Sequence, residues 1–247
     1  MFASPVLALA VTVTSVRSSN RNQSASASSI SVTAPTGTTA GDVVIVIVTG
    51  NASVGQGVVS DNNGSTPFTK DFTVDNSSPY NQSTTVFSRR IIAGDPASYS
   101  FSYSVTDRMT IVAVTFQNPN PNKIYDVAPA TGNTNRVSGP STGDSLSITT
   151  QMSRSIHCIV ATPDSNSTAI TGTPSGYTIE QNGGTQTIAF GDKVILGGTA
   201  TGIQTWTQAI GSNGLFLLSF SIANTDLPKF GFNYGGTKFN YGKYFFR

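Results

Sequence analysis

The chain is poor in the residues that build helices. Glu occurs once, at Glu180, Lys occurs six times, and charged residues make up only 11% of the 247 residues. Val, Ile, Thr, Phe and Tyr, which favour strands over helices, are plentiful instead. No segment repeats apolar residues at the helical spacing i, i+3, i+4, i+7 over the length of a helix. Short β-branched runs alternate with clusters of Gly, Pro, Asn and Ser, so the sequence predicts an all-β protein.

The order of these runs predicts a double-sheet antiparallel β-sandwich of the jelly-roll type over residues 1–224. The continuous apolar run Val43–Val48 is typical of a central strand covered on both faces. The low-complexity segment 17–29 predicts a loop or a solvated edge. The four Gly-Asp pairs, at 41–42, 94–95, 143–144 and 191–192, predict turns that enter strands.

The two halves of the chain share a pattern. Thr66-Pro67, Phe87, Gly94 and Val114–Phe116 recur as Thr173-Pro174, Phe190, Gly197 and Leu218–Phe220. We therefore expect two similar halves whose strands share one core. The rival arrangement is two small sandwiches in tandem. No linker separates the halves, and residues 117–144 resemble a crossover loop, which argues against this rival.

Composition excludes several classes of function. A formal charge of +2 is too small for nucleic-acid binding by the body of the protein. No run approaches the roughly 18 apolar residues of a membrane span. The apolar start, Met1–Ala10, lacks the basic region of a signal peptide, so secretion by this route is not expected. A single Cys leaves no intramolecular disulfide.

Catalytic and metal sites are also not expected. Gly139–Gly143 fits the nucleophile pattern G-x-S-x-G around Ser141, with His157 downstream, but turn residues flank it on both sides. We expect His157 to be a core or edge-strand residue, and His157-Cys158 is too small a set for zinc. Asp61–Ser65 resembles the start of a calcium loop whose final Glu is replaced by Phe72, which favours a turn. No cofactor and no carboxylate pair for glycoside hydrolysis is expected.

The last residues form a different kind of segment, the C-terminal arm, residues 225–247. From Lys229 onward it holds eight of the 23 aromatic residues, four basic residues and no acid. Such a composition is typical of a surface that meets a partner. The alternative is a final hairpin that turns at Gly235-Gly236 and packs on the protein's own core. The predicted docking residues are Lys229, Phe230, Phe232, Tyr234, Lys238, Phe239, Tyr241, Lys243, Tyr244, Phe245, Phe246 and Arg247.

Three segments resemble a domain found in virion proteins of tailed bacteriophages and in phage-derived bacterial genes. They are Val32–Pro35 with Gly41-Asp42, then Arg89 to Phe101 with the core Gly94-Asp95-Pro96, and then Thr173–Thr178. The resemblance covers about residues 30–223. It implies a non-enzymatic module of the virion surface with no catalytic residues.

We therefore expect a structural virion protein, such as a capsid decoration protein, that contacts capsid or tail subunits and forms a homo-oligomer. Faces rich in Ser, Thr and Asn can pack against neighbours without desolvating ions. The alternative is a carbohydrate- or receptor-binding module of a tail fibre that acts in host adsorption, which would need a cleft with Trp206 or Tyr side chains exposed among Asn and Thr. A lone Trp in an alternating strand is more often a core residue, which is the position we expect for Trp206. An extracellular hydrolase based on Ser141 and His157 is the third hypothesis.

Overall fold

The computed structural model describes residues 14–51, 59–75, 82–131, 142–152, 154–163, 170–184, 187–209, 215–224, 231–234 and 237–240. The strands are β1 (Ser15–Thr33), β2 (Val43–Asn51), β3 (Val59–Asp61), β4 (Thr69–Asp75), β5 (Gln82–Arg90), β6 (Ser98–Gln117), β7 (Tyr125–Thr131), β8 (Thr142–Asp144), β9 (Arg154–Pro163), β10 (Ile170–Gly172), β11 (Thr178–Gly183), β12 (Ile188–Leu196), β13 (Thr205–Gln208), β14 (Leu215–Ala223), β15 (Gly231–Tyr234) and β16 (Thr237–Asn240). The predicted all-β sandwich is confirmed.

Two antiparallel sheets form the centre of the sandwich. The first sheet has the order β1-β6-β2-β5-β4, and the second has the order β11-β12-β9-β14-β7. Their facing sides enclose one apolar core, to which Ile45 on β2, Phe116 on β6 and Phe220 on β14 contribute. Each sheet is built from one half of the chain, and the halves share the core between them.

The two halves repeat one strand plan. Read from the other edge, the second sheet is β7-β14-β9-β12-β11, so each strand has a counterpart at the same place in the first sheet. The edges also meet in equivalent pairs. On one side, Gln181 of β11 donates a hydrogen bond to Ser19 of β1 (2.7 Å), and on the other, Tyr125 of β7 donates to Asp71 of β4 (2.8 Å). An approximate two-fold axis therefore relates the two halves.

An outer layer covers the far face of each sheet. In the first half it consists of β3, the beginning of β6 and the end of β1, with Tyr99 and Phe101 buried beneath it. In the second half it is the small sheet β10-β13-β8, which buries Trp206. Strand β2 therefore has apolar neighbours on both faces. Its odd-numbered residues from Val43 to Ile47 face the central core, and the even-numbered ones from Val44 to Val48 face the outer layer.

Several local predictions need correction. Of the two predictions for residues 17–29, the solvated edge is confirmed and the loop is wrong, because they belong to β1, the edge strand of the first sheet, and pair with β6 along most of their length. The segment 117–144 is not only a crossover, since it contains β7 and β8. Gly41-Asp42 and Gly94-Asp95 precede strands as expected, whereas Gly143-Asp144 and Gly191-Asp192 lie inside strands.

One end of the sandwich is defined by ordered turns, and we name it the turn end. It comprises residues 34–42 and 91–97 of the first half, 145–152 and 197–204 of the second half, and 118–124 between them. Backbone hydrogen bonds tie these segments to one another, such as that from Ile91 to Asp42 (2.8 Å) and that from Gly198 to Thr150 (2.9 Å). The start of β1 and the end of β14 lie at this end.

Candidate docking surface

The described part of the C-terminal arm is a hairpin. Strand β15 pairs with β16 so that Phe232 lies opposite Phe239 and Tyr234 opposite Thr237. The strand pair that the alternative placed on either side of Gly235-Gly236 is thus present, and within the described residues it pairs with neither sheet of the sandwich. Four predicted docking residues, Phe232, Tyr234, Lys238 and Phe239, lie on the hairpin strands. The other eight, Lys229, Phe230, Tyr241, Lys243, Tyr244, Phe245, Phe246 and Arg247, lie outside the described residues.

The arm begins at a fixed point of the turn end. Asn224 follows β14, and its side-chain oxygen accepts hydrogen bonds from the backbone N–H (3.2 Å) and the hydroxyl (2.6 Å) of Thr14. Asn120 donates to the backbone oxygens of Ala223 (2.9 Å) and Asn224 (3.0 Å). Arg90 of the first half donates to the backbone oxygen of Asn120. Both halves therefore hold the place where the chain enters β1 and leaves β14.

Exposed large apolar side chains are found at this same end. Within the described ranges, those that are at least 40% exposed are Ile92, Leu146, Val194, Leu196 and Ile203. We call this set the apolar rim. The sequence reasoning missed these residues because Ile92, Leu146 and Ile203 lie in turn segments, while Val194 and Leu196 lie near the end of β12, and no repeated pattern marks them as exposed. The available signal was a bulky apolar residue between glycines and threonines, as in Leu196-Gly197-Gly198 and Gly202-Ile203.

The segment from Arg89 to Phe101, which carries part of the resemblance, builds a buried ionic cluster. Arg89 donates to Asp95 (2.6 Å), and both side chains are more than nine-tenths buried. Tyr99 donates to the same carboxylate (3.2 Å), and the guanidinium lies 4.4 Å from the ring centre of Phe68. Burial, reinforced by the charge of Asp95, raises the pKa of the Tyr99 phenol. The cluster holds the 91–97 turn, which borders an open cavity of about 460 Å³ against residues 33–40. Its role is structural.

The only histidine lies in a closed polar cluster. His157 on β9 is fully buried, with Nδ1 2.6 Å from the Tyr177 hydroxyl and Nε2 2.7 Å from the Ser219 hydroxyl. Burial and then the charge of Lys193, its neighbour on β12, lower the pKa of His157 to about 4. The imidazole is therefore neutral near pH 7 and joins two hydroxyls, one as donor and one as acceptor. The prediction of a core residue is confirmed.

The surroundings of His157 do not support the hydrolase hypothesis. Ser141 lies outside the described residues, and the residues that follow it form strand β8 rather than the helix of a nucleophile elbow. The Ser219 hydroxyl does approach His157, but it is fully buried as well, so a substrate has no access to it in this conformation.

Trp206 and the Asp61 loop, two other candidates from the sequence, belong to the core and to a turn. Trp206 is fully buried between the second sheet and its outer layer, so it cannot form the floor of a sugar site. The side chain of Asp61 accepts hydrogen bonds from the backbone N–H groups of Asn63 (3.0 Å) and Phe68 (2.6 Å), as the predicted turn requires. The ranges covered by the structure contain no group of three or more potential metal-binding residues.

Comparison with known proteins identifies no relative. No protein-family model matches the chain, and no curated protein and no solved structure matches it significantly. Within the described residues, no helix has the length and apolar character needed to cross a membrane.

Proposed function

We propose that the protein is a non-enzymatic structural component of a bacteriophage virion, of the capsid-decoration type, and that its C-terminal arm docks it onto a neighbouring subunit. The sequence resemblance over residues 30–223 supports the virion assignment. The hairpin β15–β16 supports the docking role, because its described residues pair with no strand of either sheet of the sandwich. This hairpin is the observation on which the proposal rests.

An isolated two-stranded hairpin is only marginally stable in water and needs a surface to cover it. Each Phe or Tyr ring that becomes buried contributes about 1.5–3 kcal/mol, against the entropy lost when the arm is ordered. Phe232, Tyr234 and Phe239 on the hairpin strands could thus supply a substantial part of an interface. Four basic groups and no acid favour an acidic partner surface.

The experiment is a reconstitution on particles that lack this protein, prepared from a phage whose coding sequence for it carries an early stop codon. Wild-type protein should bind at a fixed copy number, and a chain truncated after Asn224 should not bind. Circular dichroism and thermal unfolding establish whether the truncated chain remains folded. Unfolding on truncation would show that the arm is part of the core, and equal binding by both chains would contradict docking through the arm.

Two matched variants separate the contributions of the rings and the charges. Replacing Phe232, Tyr234 and Phe239 with Ser keeps the charge, and replacing the four basic residues of the arm with Gln keeps the rings. We expect the first variant to lose binding. The second should bind with less dependence on salt, because screening acts on the charged pairs.

The burial of Trp206 removes one of the side chains that the glycan-binding alternative could use, and leaves the Tyr side chains as its candidates. A glycan array probed with the full chain provides the direct comparison. Saturable binding to one glycan class without binding to particles would favour the tail-fibre function over the proposed one.

A further inference from the structure

Each half of the sandwich has an apolar core of its own. In the first half, Val46 of the sheet and Phe101 of the outer layer belong to one buried cluster. In the second half, Leu217 of the sheet and Trp206 of the outer layer belong to another. As far as the chain is described, neither cluster contains a residue from the other half. Each half is therefore a two-layered body, and the central core is the interface between two such bodies.

The faces that meet in the central core match strand for strand. The two middle strands, β2 and β9, each place three alternate apolar residues there, and so do their neighbours β6 and β14. These residues are Val43, Ile45 and Ile47, then Ile156, Cys158 and Val160, then Val112, Val114 and Phe116, then Leu218, Phe220 and Ile222. Either half of one chain can therefore be covered by the complementary half of another chain, with the same contacts.

A single segment leads from the first half to the second. Strand β6 ends at Gln117 and β7 begins at Tyr125, so residues 118–124 make the connection, and we call them the hinge. Seven extended residues span about 23 Å. The hinge can therefore return the second half to its own first half, as it does here, or lead it to the first half of a neighbouring molecule.

The first residue of the hinge is held in a strained conformation. Asn118 has a φ of +51°, and the other described residues with a positive φ are all Gly. Asn tolerates the left-handed region better than most residues, but the following residue is Pro119, and a residue before proline favours an extended conformation. Straightening of the hinge releases this strain. Strain in a short hinge is a known cause of the exchange of segments between two chains.

Hydrogen bonds and chain connectivity act against this release. The Thr14 hydroxyl donates to the backbone oxygen of Asn118 (2.7 Å), and the backbone N–H of Asn120 donates to that of Ala223 (2.9 Å). Pairing within one chain also acts at a high effective concentration, which favours the monomer in dilute solution. The contacts between the halves are the same in both forms, so the balance depends on the hinge and on the protein concentration.

We propose that two copies of the chain exchange their halves through the hinge, with release of the strain at Asn118, so that the first half of each packs on the second half of the other. This exchange does not rest on the virion function. Because each chain has one C-terminal arm, the exchanged dimer has two, and two linked docking segments bind a repeated surface more tightly than one does. Only this last consequence depends on the proposed docking role.

Cross-linking of the full-length protein tests the exchange. Ser19→Cys with Gln181→Cys places two thiols across the halves, since the Gln181 side chain donates to Ser19 (2.7 Å). A short bifunctional maleimide joins them within one chain in the monomer and between two chains in an exchanged dimer. Ser31→Cys with Ser100→Cys is the control, because these residues pair within the first half. The natural Cys158 is buried, and burial raises the pKa of its thiol, which keeps it unreactive.

Each chain is unfolded in urea and refolded at low and at high protein concentration, and light scattering identifies monomer and dimer after size-exclusion chromatography. We expect the dimer fraction to rise several-fold at high concentration. In that fraction the pair at 19 and 181 should give a covalent dimer on a denaturing gel, and the control pair should give only monomer. A protein that is monomeric at every concentration would overturn the proposal, and so would a folded dimer whose cross-link between 19 and 181 stays within one chain.

Matched variants of the hinge test the role of its strain. Asn118→Gly removes the penalty of the left-handed conformation, so the dimer fraction should fall several-fold. Asn122→Gly makes the same change in the same hinge, at a residue whose φ is not positive, and should leave the dimer fraction as in the wild type. Circular dichroism verifies that both variants are folded. A dimer fraction that is equal in Asn118→Gly and wild type would contradict the proposed release of strain.

Discussion

Acidification from pH 7 to pH 4 should destabilise the second half of the sandwich through His157. The imidazole is fully buried, and its pKa is lowered to about 4 by burial and by the charge of Lys193. In the unfolded chain the pKa of His is about 6.5. Below about pH 6.5 the unfolded state therefore binds a proton that the folded state excludes, and stability falls until about pH 4. The difference between the two pKa values corresponds to about 3 kcal/mol.

Asp192 on β12 acts with the opposite sign. Burial, together with the charge of Glu180, raises the pKa of its carboxyl from 3.8 to about 7. The folded state holds this proton more tightly than the unfolded state does. The contribution of Asp192 to stability is therefore complete below about pH 4 and is lost as the pH rises through 7. The wild-type protein reports the sum of both groups, so its own pH profile can be nearly flat.

Two variants separate these effects in urea unfolding between pH 4 and pH 7. His157→Gln keeps a donor and an acceptor but does not titrate, so its stability relative to wild type should rise by about 3 kcal/mol on acidification from pH 7 to pH 4. Asp192→Asn should show the opposite change. Trp206 lies in the same half and is the only Trp, which makes its fluorescence a direct probe of unfolding. Parallel pH profiles for wild type and His157→Gln would refute the reasoning.

Four further variants test the ion pairs and the packing. Arg89→Met leaves the buried carboxylate of Asp95 without its ionic partner and should lower the free energy of unfolding in urea by about 3–5 kcal/mol. Lys123→Gln removes a cation that is half exposed and should lower it by less than about 1 kcal/mol. Trp206→Ala should lower the free energy of unfolding by about 3–5 kcal/mol, measured by circular dichroism, because it empties a fully buried site; a near-neutral effect would contradict the observed burial. Gly50→Ala would place a Cβ 2.7 Å from the ring of Tyr103, and we expect a loss of about 1–3 kcal/mol in thermal unfolding unless that ring can move.

The sequence could predict the features that depend on local composition. The shortage of Glu and Lys excluded helices, and the run Val43–Val48 had to be covered on both faces because neither face is polar. The core position of Trp206 followed in the same way from its alternating strand. These predictions needed only the strand period of two and the chemistry of each side chain.

The repeat of the halves was visible in the sequence, but its register was not. The sequence comparison matched Phe87 with Phe190, yet Phe87 faces the outer layer of its sheet and Phe190 faces the central core. The pairing registers instead make Gly191 the counterpart of Phe87. Phe87 on β5 lies opposite Val46 on β2, and Gly191 on β12 lies opposite Ile159 on β9, where β2 and β9 hold the same place in their sheets. A shift of one residue reverses the face of a strand residue, and the sequence alone carries no mark of that shift.

Part of the candidate site could be predicted from the sequence, and part could be found only from the tertiary structure. Aromatic and basic residues identified the C-terminal arm as unusual from composition alone. The apolar rim could not be found that way, because Ile92 and Leu196 are more than 100 residues apart and resemble any strand-end residue. Only the packing of the two halves brings them to the same end of the sandwich. Composition therefore determined which residues each strand and the arm contain, and the long-range pairing decided which of them remain exposed together.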